Sequence, residues 1–155
     1  MNRKTACHSI MLLLLTLSMV QVACTPASCL EETVATVNAV FYRTGTGNAE
    51  APDSLTLYGI GSGLNKIYSA EGKLKVAKIP LDASVSSCSF YIKVNDITDT
   101  LFFSYSSYPH LVSKECGFTM YHAVENVSNR AEEIDVLLIN GSITTSNEEN
   151  IRIFY

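Results

Sequence analysis

Apolar and polar residues alternate in short segments along most of this chain, and this pattern most constrains its fold. The clearest case is Cys88–Val94, in which every second residue is apolar. Similar segments lie at Thr33–Arg43, Thr100–Tyr105 and Ile134–Leu138, and residues typical of turns separate them. Because successive side chains of a strand point to opposite faces, period-two alternation predicts strands with one buried face. The chain is therefore predicted to be all-β.

The number and spacing of these segments predict one small domain. About eight segments occur in 155 residues, a length typical of a single domain. The helix candidates, Leu30–Val34 and Arg130–Glu133, are short, so no strand–helix–strand alternation indicates a parallel sheet. We predict a single antiparallel, immunoglobulin-like β-sandwich of about seven to eight strands, and a small β-barrel is the alternative.

The N-terminal 24 residues have the pattern of an export signal. Arg3 and Lys4 precede the apolar run Ile10–Val20. The run fits the apolar region of a signal peptide, roughly 7 to 15 residues long. It is shorter than the roughly 20 residues of a membrane-spanning helix. Val22–Cys24 resembles the lipobox of bacterial lipoproteins, in which the cysteine thiol receives a lipid and the chain is cut before it.

This reading divides the chain into a signal peptide (residues 1–23), a lipidated tether (24–31) and a β-domain (32–155). Gln21 stands where an aliphatic residue is usual in the lipobox, so the alternative is cleavage near Ala23 to leave a soluble periplasmic protein. Surface-exported lipoproteins often carry acidic residues directly after the cysteine, whereas here Glu31 and Glu32 come later. We therefore expect a lipid-anchored protein of the cell envelope, in the outer membrane and facing the periplasm.

Five cysteines occur in the chain, and export leaves three of them for the folded domain. Disulfides persist in an oxidising compartment, and an odd number allows at most one internal pair. Cys29 and Cys116 lie at the edges of predicted strands, so we predict a disulfide between them that pins the tether to the domain. Cys88 shares the apolar face of its strand and is expected to be a buried free thiol.

Motifs for catalysis or for metal and cofactor binding are missing from the sequence. It contains no CxxC pair, no GxSxG elbow and no phosphate-binding glycine loop. His122 is expected in a strand and His110 in a loop, and a Cys116–His110 nucleophile pair conflicts with the predicted disulfide. The formal charge of −4 and the lack of a strong basic cluster argue against nucleic-acid binding. We predict no enzymatic activity, cofactor or metal.

Two other features are compatible with an exported protein. Ser54 and Thr100 lie in Asp53–Leu55 and Asp99–Leu101, which look like the Asp-Ser/Thr-aliphatic motif for O-glycosylation of exported Bacteroidetes proteins. Several strands and loops also carry tyrosines. Aromatic faces can stack on sugars, although tyrosine is also common in β-proteins for packing alone.

Four segments resemble an uncharacterised family of small Bacteroidetes lipoproteins: Asp99–Tyr105, Val112–Phe118, Ile134–Val136 and Glu148–Tyr155. Members of that family have a lipid cysteine, a second cysteine shortly after it, a Glu-Cys-Gly-Phe element and an Asn-Ile-basic-Ile-aromatic C-terminus. The resemblance implies a location in the cell envelope and no known activity.

The expected function combines the anchor with the small β-domain. We expect a monomeric, membrane-anchored lipoprotein that acts as a structural or protein-interaction module. A glycan- or small-ligand-binding lipoprotein is the alternative. The expected partners are the membrane, through the lipid, and an envelope protein or glycan.

Overall fold

The computed structural model describes residues 29–61, 66–131 and 133–155, so the predicted signal peptide and Cys24 lie outside the described residues. Glu31–Tyr155 form one compact unit. Its strands are β1 (Thr36–Tyr42), β2 (Leu55–Ile60), β3 (Lys66–Glu71), β4 (Val76–Pro80), β5 (Ser87–Val94), β6 (Ile97–Ser113), β7 (Gly117–Asn129), β8 (Asp135–Leu138), β9 (Ser142–Ile143) and β10 (Ile151–Phe154).

Helices are missing from the described ranges, so the two short helix candidates are wrong. Leu30–Val34 is irregular, and the described residues of 130–133 form bends. Within these same ranges, no helix is long and apolar enough to cross a membrane.

The strands form two sheets, which confirms the prediction of an all-β fold. A four-stranded sheet has the order β4-β1-β10-β8, and a six-stranded sheet has the order β3-β2-β5-β6-β7-β9 and curls into a half-barrel. One strand pair departs from the predicted antiparallel arrangement: β1 and β10 run parallel, with Ala39 opposite Ile151. The predicted count of seven to eight strands is lower than the ten strands of the described residues. The sequence missed β3 and β9, at the edges of the larger sheet, because they lack a clear apolar alternation.

A single hydrophobic core lies between the two sheets. The smaller sheet contributes Phe41, Ile79 and other residues, and the larger sheet contributes Leu57, Phe90 and Leu101, all of which are almost completely buried. Burial of these side chains removes apolar surface from water, which is the dominant favourable contribution to folding. The opposite face of the larger sheet is left to solvent.

The strands β6 and β7 form a hairpin that is much longer than the sequence predicts. The strand expected at Thr100–Tyr105 continues as far as Ser113, so His110 lies in a strand and not in a loop. Exposure increases towards the turn: Tyr105 is buried, whereas Leu111 is 49% exposed. The hairpin therefore extends beyond the core, and we call residues 111–118 the hairpin tip.

Candidate binding surface

The outer face of the six-stranded sheet carries a cluster of large apolar and aromatic side chains. It comprises Tyr58 and Ile60 of β2, Tyr91 of β5 and Phe102 of β6, and we call it the aromatic face. Tyr58 lies opposite Tyr91 on the neighbouring strand. Ile60 and Phe102 each lie opposite Ser89, on its two sides. Alternation along the strands points these side chains away from the core, which leaves 37% of Tyr58, 47% of Ile60 and 41% of Phe102 exposed.

The two tyrosines of the aromatic face stack on each other. The ring centroids of Tyr58 and Tyr91 lie 4.5 Å apart, and the ring planes differ by 19°. Each ring therefore covers one face of the other. Offset stacking of this kind stabilises aromatic pairs beyond the burial of their area. The pair forms a fixed ridge, with Ile60 and Phe102 in the next row of the sheet.

A small cavity opens beside the aromatic face, at the start of β5. Its volume is about 240 Å³, and its lining includes Ile60, Phe102, Val85 and Cys88. Cys88 is a free thiol, but it is half-buried and not buried as predicted, because it lies near the start of its strand. Burial raises the pKa of Cys88, an effect that outweighs the hydrogen bond to Tyr105. The thiol is thus not activated as a nucleophile, because nucleophilic attack requires the thiolate.

Cys29 and Cys116 are both disulfide-bonded, as the predicted bridge requires. Cys116 lies in the turn of the hairpin tip, where its backbone amide donates to Oγ of Ser113 at 3.0 Å. Gly117 follows with a φ of +74°, a conformation that glycine adopts without steric cost. The Cys-Gly pair of the Glu-Cys-Gly-Phe element is therefore explained by the geometry of this turn.

His110 and His122, the two histidines among the described residues, lie in the long hairpin at separate positions. His122 is buried, and its Nδ1 lies 2.8 Å from Oγ of Ser107 on the neighbouring strand. Burial lowers the pKa of His122 and so favours the neutral imidazole. We interpret this contact as structural, because buried polar groups require hydrogen-bond partners. His110 is exposed and stacks on Tyr121, with ring centroids 4.2 Å apart.

Catalytic and metal chemistry find little support in the described part of the chain. There, no group of three or more His, Cys, Asp or Glu side chains is placed to hold a metal ion. Cys116 cannot act as a nucleophile with His110, because its sulfur is part of a disulfide.

The two predicted O-glycosylation sites lie in different environments. Ser54 is half-buried just before β2, and its backbone amide donates to Oδ1 of Asn95 at 3.1 Å. Thr100 lies within β6, directly opposite Tyr91 of the aromatic face, and is half-buried. Of the two residues, Thr100 therefore adjoins the candidate binding surface.

The aspartate that precedes Thr100 has a structural role that the sequence does not reveal. Asp99 is 6% exposed, and its Oδ1 accepts hydrogen bonds from the backbone amides of Thr100, Arg130 and Ala131 at 2.6, 3.0 and 2.9 Å. Its Oδ2 accepts a bond from Nδ2 of Asn129 at 3.1 Å. The carboxylate thus fixes the chain at the end of β7.

The residues of the aromatic face are not apparent from motifs. Ile60 and Phe102 are large apolar residues at positions where the alternation predicts solvent exposure. This mismatch is the available signal in the sequence, and it points to a surface that contacts another molecule. The register of β2, β5 and β6, which brings the four side chains together, is visible only in the structure.

Comparison with known families gives one match. The model described as "Family of unknown function (DUF6452)" matches residues 54–155. Comparisons with curated proteins and with solved structures found no match. The matched range contains β2 to β10, and hence the whole aromatic face and the hairpin tip. The prediction of an uncharacterised family is confirmed, and since the match covers more than half of the chain, this protein belongs to the Family of unknown function (DUF6452).

Proposed function

We propose that this protein is an exported lipoprotein of the bacterial cell envelope that binds a protein partner through its aromatic face. The positively charged start, the apolar run Ile10–Val20 and the lipobox-like Val22–Cys24 support export and lipidation. The resemblance of four segments to Bacteroidetes lipoproteins supports that origin and a location in the outer membrane, facing the periplasm. In this proposal the domain is a monomer and has no catalytic role, metal or cofactor.

The observation that carries the proposal is the exposure of Tyr58, Ile60 and Phe102 beside the half-buried Tyr91 on one sheet face. Contiguous apolar patches rimmed by polar residues mark interaction sites on soluble domains. Here Ser89 and Thr100 lie among or beside the apolar residues. Aromatic residues are enriched in the centres of protein–protein interfaces, where they account for much of the binding energy.

A protein partner fits this surface better than a glycan or a small ligand. The stacked rings of Tyr58 and Tyr91 each use one face on the other, which reduces the platform available to a sugar ring. The adjacent cavity of about 240 Å³ is smaller than most ligand pockets, which span roughly 300 to 1,000 Å³. An exposed apolar patch of this kind is typical of a surface that meets another protein.

The test compares two double variants in crosslinking pulldowns from native envelopes. Tyr58→Ser with Phe102→Ser removes one aromatic side chain from each row of the aromatic face. Val76→Ser with Leu137→Ser removes two residues of the smaller sheet with comparable exposure, 40% and 50%. We expect the first variant to weaken capture of the same identified partner by about tenfold or more, because interface hot spots exceed this effect. The second variant should capture the partner normally.

Two results would contradict the proposal. Equal capture by both double variants would show that the aromatic face does not bind the partner. Binding of the unmodified protein to a glycan array, with no protein recovered from the envelopes, would favour the glycan-binding alternative.

We also propose O-glycosylation at Thr100 and at Ser54. A sugar on Thr100 would lie at the rim of the aromatic face, beside Tyr91. Peptide mass spectrometry of protein from its native envelope tests both sites, and Thr100→Val provides the control for the first. Unmodified peptides at both positions would contradict this assignment.

A further inference from the structure

The hairpin tip exposes apolar side chains at a distance from the aromatic face. Leu111 and Phe118 lie opposite each other on β6 and β7, and they are 49% and 72% exposed. They lie on the inward side of the sheet, where the hairpin extends past the core. The tip is therefore an apolar surface that the fold itself leaves uncovered.

The N-terminal part of the β-domain enters beside this surface. The Thr119 side chain donates a hydrogen bond from Oγ1 to the carbonyl of Thr33 at 2.5 Å. Val34, which is 58% exposed, lines the same shallow groove as Phe118 and Met120. Val34, Leu111 and Phe118 thus form one apolar cluster at the point where the chain arrives from the proposed anchor.

The length of the tether limits how far the anchor can lie from the hairpin tip. The carbonyl of Thr33 accepts the hydrogen bond from Thr119, directly beside the tip. Cys24 precedes Thr33 by nine residues, and nine residues span at most about 32 Å even when fully extended. A lipid on Cys24 would therefore lie within this distance of Thr33.

From this placement we infer that the hairpin tip lies against the membrane, with Val34, Leu111 and Phe118 inserted among the lipids. The inference rests on the proposed lipidation of Cys24. It commits to lipid as the occupant of the cluster because the short tether would bring the lipid of Cys24 to this end of the domain.

Aromatic residues behind the tip fit the same arrangement. On the hairpin, His110 stacks on Tyr121, and Tyr108 meets Tyr121 edge to face. Tyr108 is 43% exposed. Tyr108 lies three residues from Leu111, about 10 Å along the strand. Tyrosine is favoured at membrane interfaces, where its ring contacts apolar groups and its hydroxyl contacts water. The nearby charges, Lys114 and Glu115 in the turn, have opposite signs, so the contact is apolar and does not require anionic lipid.

Because the chain contains no tryptophan, single tryptophan substitutions provide clean reporters. The lipidated protein with Phe118→Trp is reconstituted in phosphatidylcholine vesicles that contain lipids with a quenching spin label near the headgroup. The matched control is Phe102→Trp, on the same hairpin but about 30 Å from Leu111 along β6. Mass spectrometry of the same samples reports whether Cys24 carries lipid.

We expect the Phe118→Trp emission to shift to the blue and to be quenched by the labelled lipid, whereas the Phe102→Trp emission should be unaffected. Lipid on Cys24 without quenching at position 118 would overturn this inference and leave the anchor intact. Unmodified Cys24 would instead overturn the proposed lipidation and, with it, this inference. A blue shift without quenching would show that a second copy of the chain, and not lipid, covers the tip.

Discussion

The backbone amide of Asn38 donates a hydrogen bond to Oδ1 of Asn150 at 2.9 Å, and the amide of Asn150 donates to the carbonyl of Asn38 at 3.0 Å. Both residues are almost completely buried. Nδ2 of Asn150 also donates to the carbonyls of Asn140 and Ser142 at 3.1 and 3.3 Å. One side chain thus joins the start of β10 both to β1 and to the segment where the chain passes from β8 to β9.

Replacing Asn150 should destabilise the fold strongly. Asn150→Ala leaves the Asn38 amide without its partner, and an unsatisfied buried polar group costs about 1 to 3 kcal/mol. With the two further bonds lost, we expect a decrease of about 3 kcal/mol in the free energy of unfolding. Urea unfolding measures this decrease when Asn150→Ala is made in the Cys24→Ser protein. Asn48→Ala, in an exposed loop, is the control, and an equal effect of the two changes would contradict the role of Asn150.

The buried Asp99 carboxylate should be equally important for the end of β7. Asp99→Ala removes an acceptor shared by three backbone amides, so we expect a loss of about 3 kcal/mol in unfolding free energy. Asp96→Ala, in the exposed β5–β6 turn, should change it by less than about 0.5 kcal/mol. Denaturant midpoints of the two variants test this difference. A stable Asp99→Ala protein would mean that water replaces the carboxylate.

The period-two pattern predicted the core strands well because burial of alternate residues is a local property of the sequence. Phe90, Ile92 and Val94 are buried as the pattern indicates. By contrast, the parallel pairing of β1 with β10 joins residues more than a hundred positions apart, and no local pattern specifies it. The hairpin beyond Tyr105 was also missed, since its residues leave the core and Pro109 is unusual within a strand.

The candidate site depends even more on long-range register. The sequence indicated tyrosines in several strands, but the stacking of Tyr58 on Tyr91 requires β2 to pair with β5 in one particular register. The disulfide was predictable because the proposed export leaves few cysteines for the domain, and two of these lie at segment edges. The structural role of Asp99 was not predictable, because its partners Arg130 and Ala131 lie 31 and 32 residues further along the chain.

Loss of the disulfide should lower stability by a large amount. In the chain-entropy model, a bridge that closes a loop as long as Cys29–Cys116 contributes about 4 kcal/mol. We expect the double variant Cys29→Ser with Cys116→Ser to lose about this much of its free energy of unfolding, as measured in urea. The control Cys88→Ser should lose less than about 1 kcal/mol. Alkylation of the unfolded, unreduced Cys24→Ser protein should label one thiol, that of Cys88. Labelling of three thiols would show that the bridge does not form.

The buried His122 should make stability depend on pH. Its pKa lies below the usual value of 6.5 because burial disfavours the charged imidazole. The unfolded chain then binds a proton at a higher pH than the folded chain does. The free energy of unfolding therefore keeps its full value above about pH 6.5. It decreases as the pH falls from 6.5 towards the pKa of His122 in the folded protein.

His122→Gln isolates this contribution, since glutamine keeps hydrogen-bonding groups but does not titrate. Urea midpoints at pH 7.5 and pH 5.0 should decrease less for the variant than for the unmodified protein. An identical decrease in both proteins would show that His122 is not the group responsible.

Membrane attachment through Cys24 is the central claim of this account, and fractionation of the Cys24→Ser variant tests it most directly. The variant is expressed with its native signal in a Gram-negative host, next to the unmodified protein and Cys88→Ser. We predict that the unmodified protein and Cys88→Ser remain with alkaline-washed membranes, and that Cys24→Ser is recovered in the soluble fraction. Retention of Cys24→Ser in the washed membranes would contradict the lipid anchor.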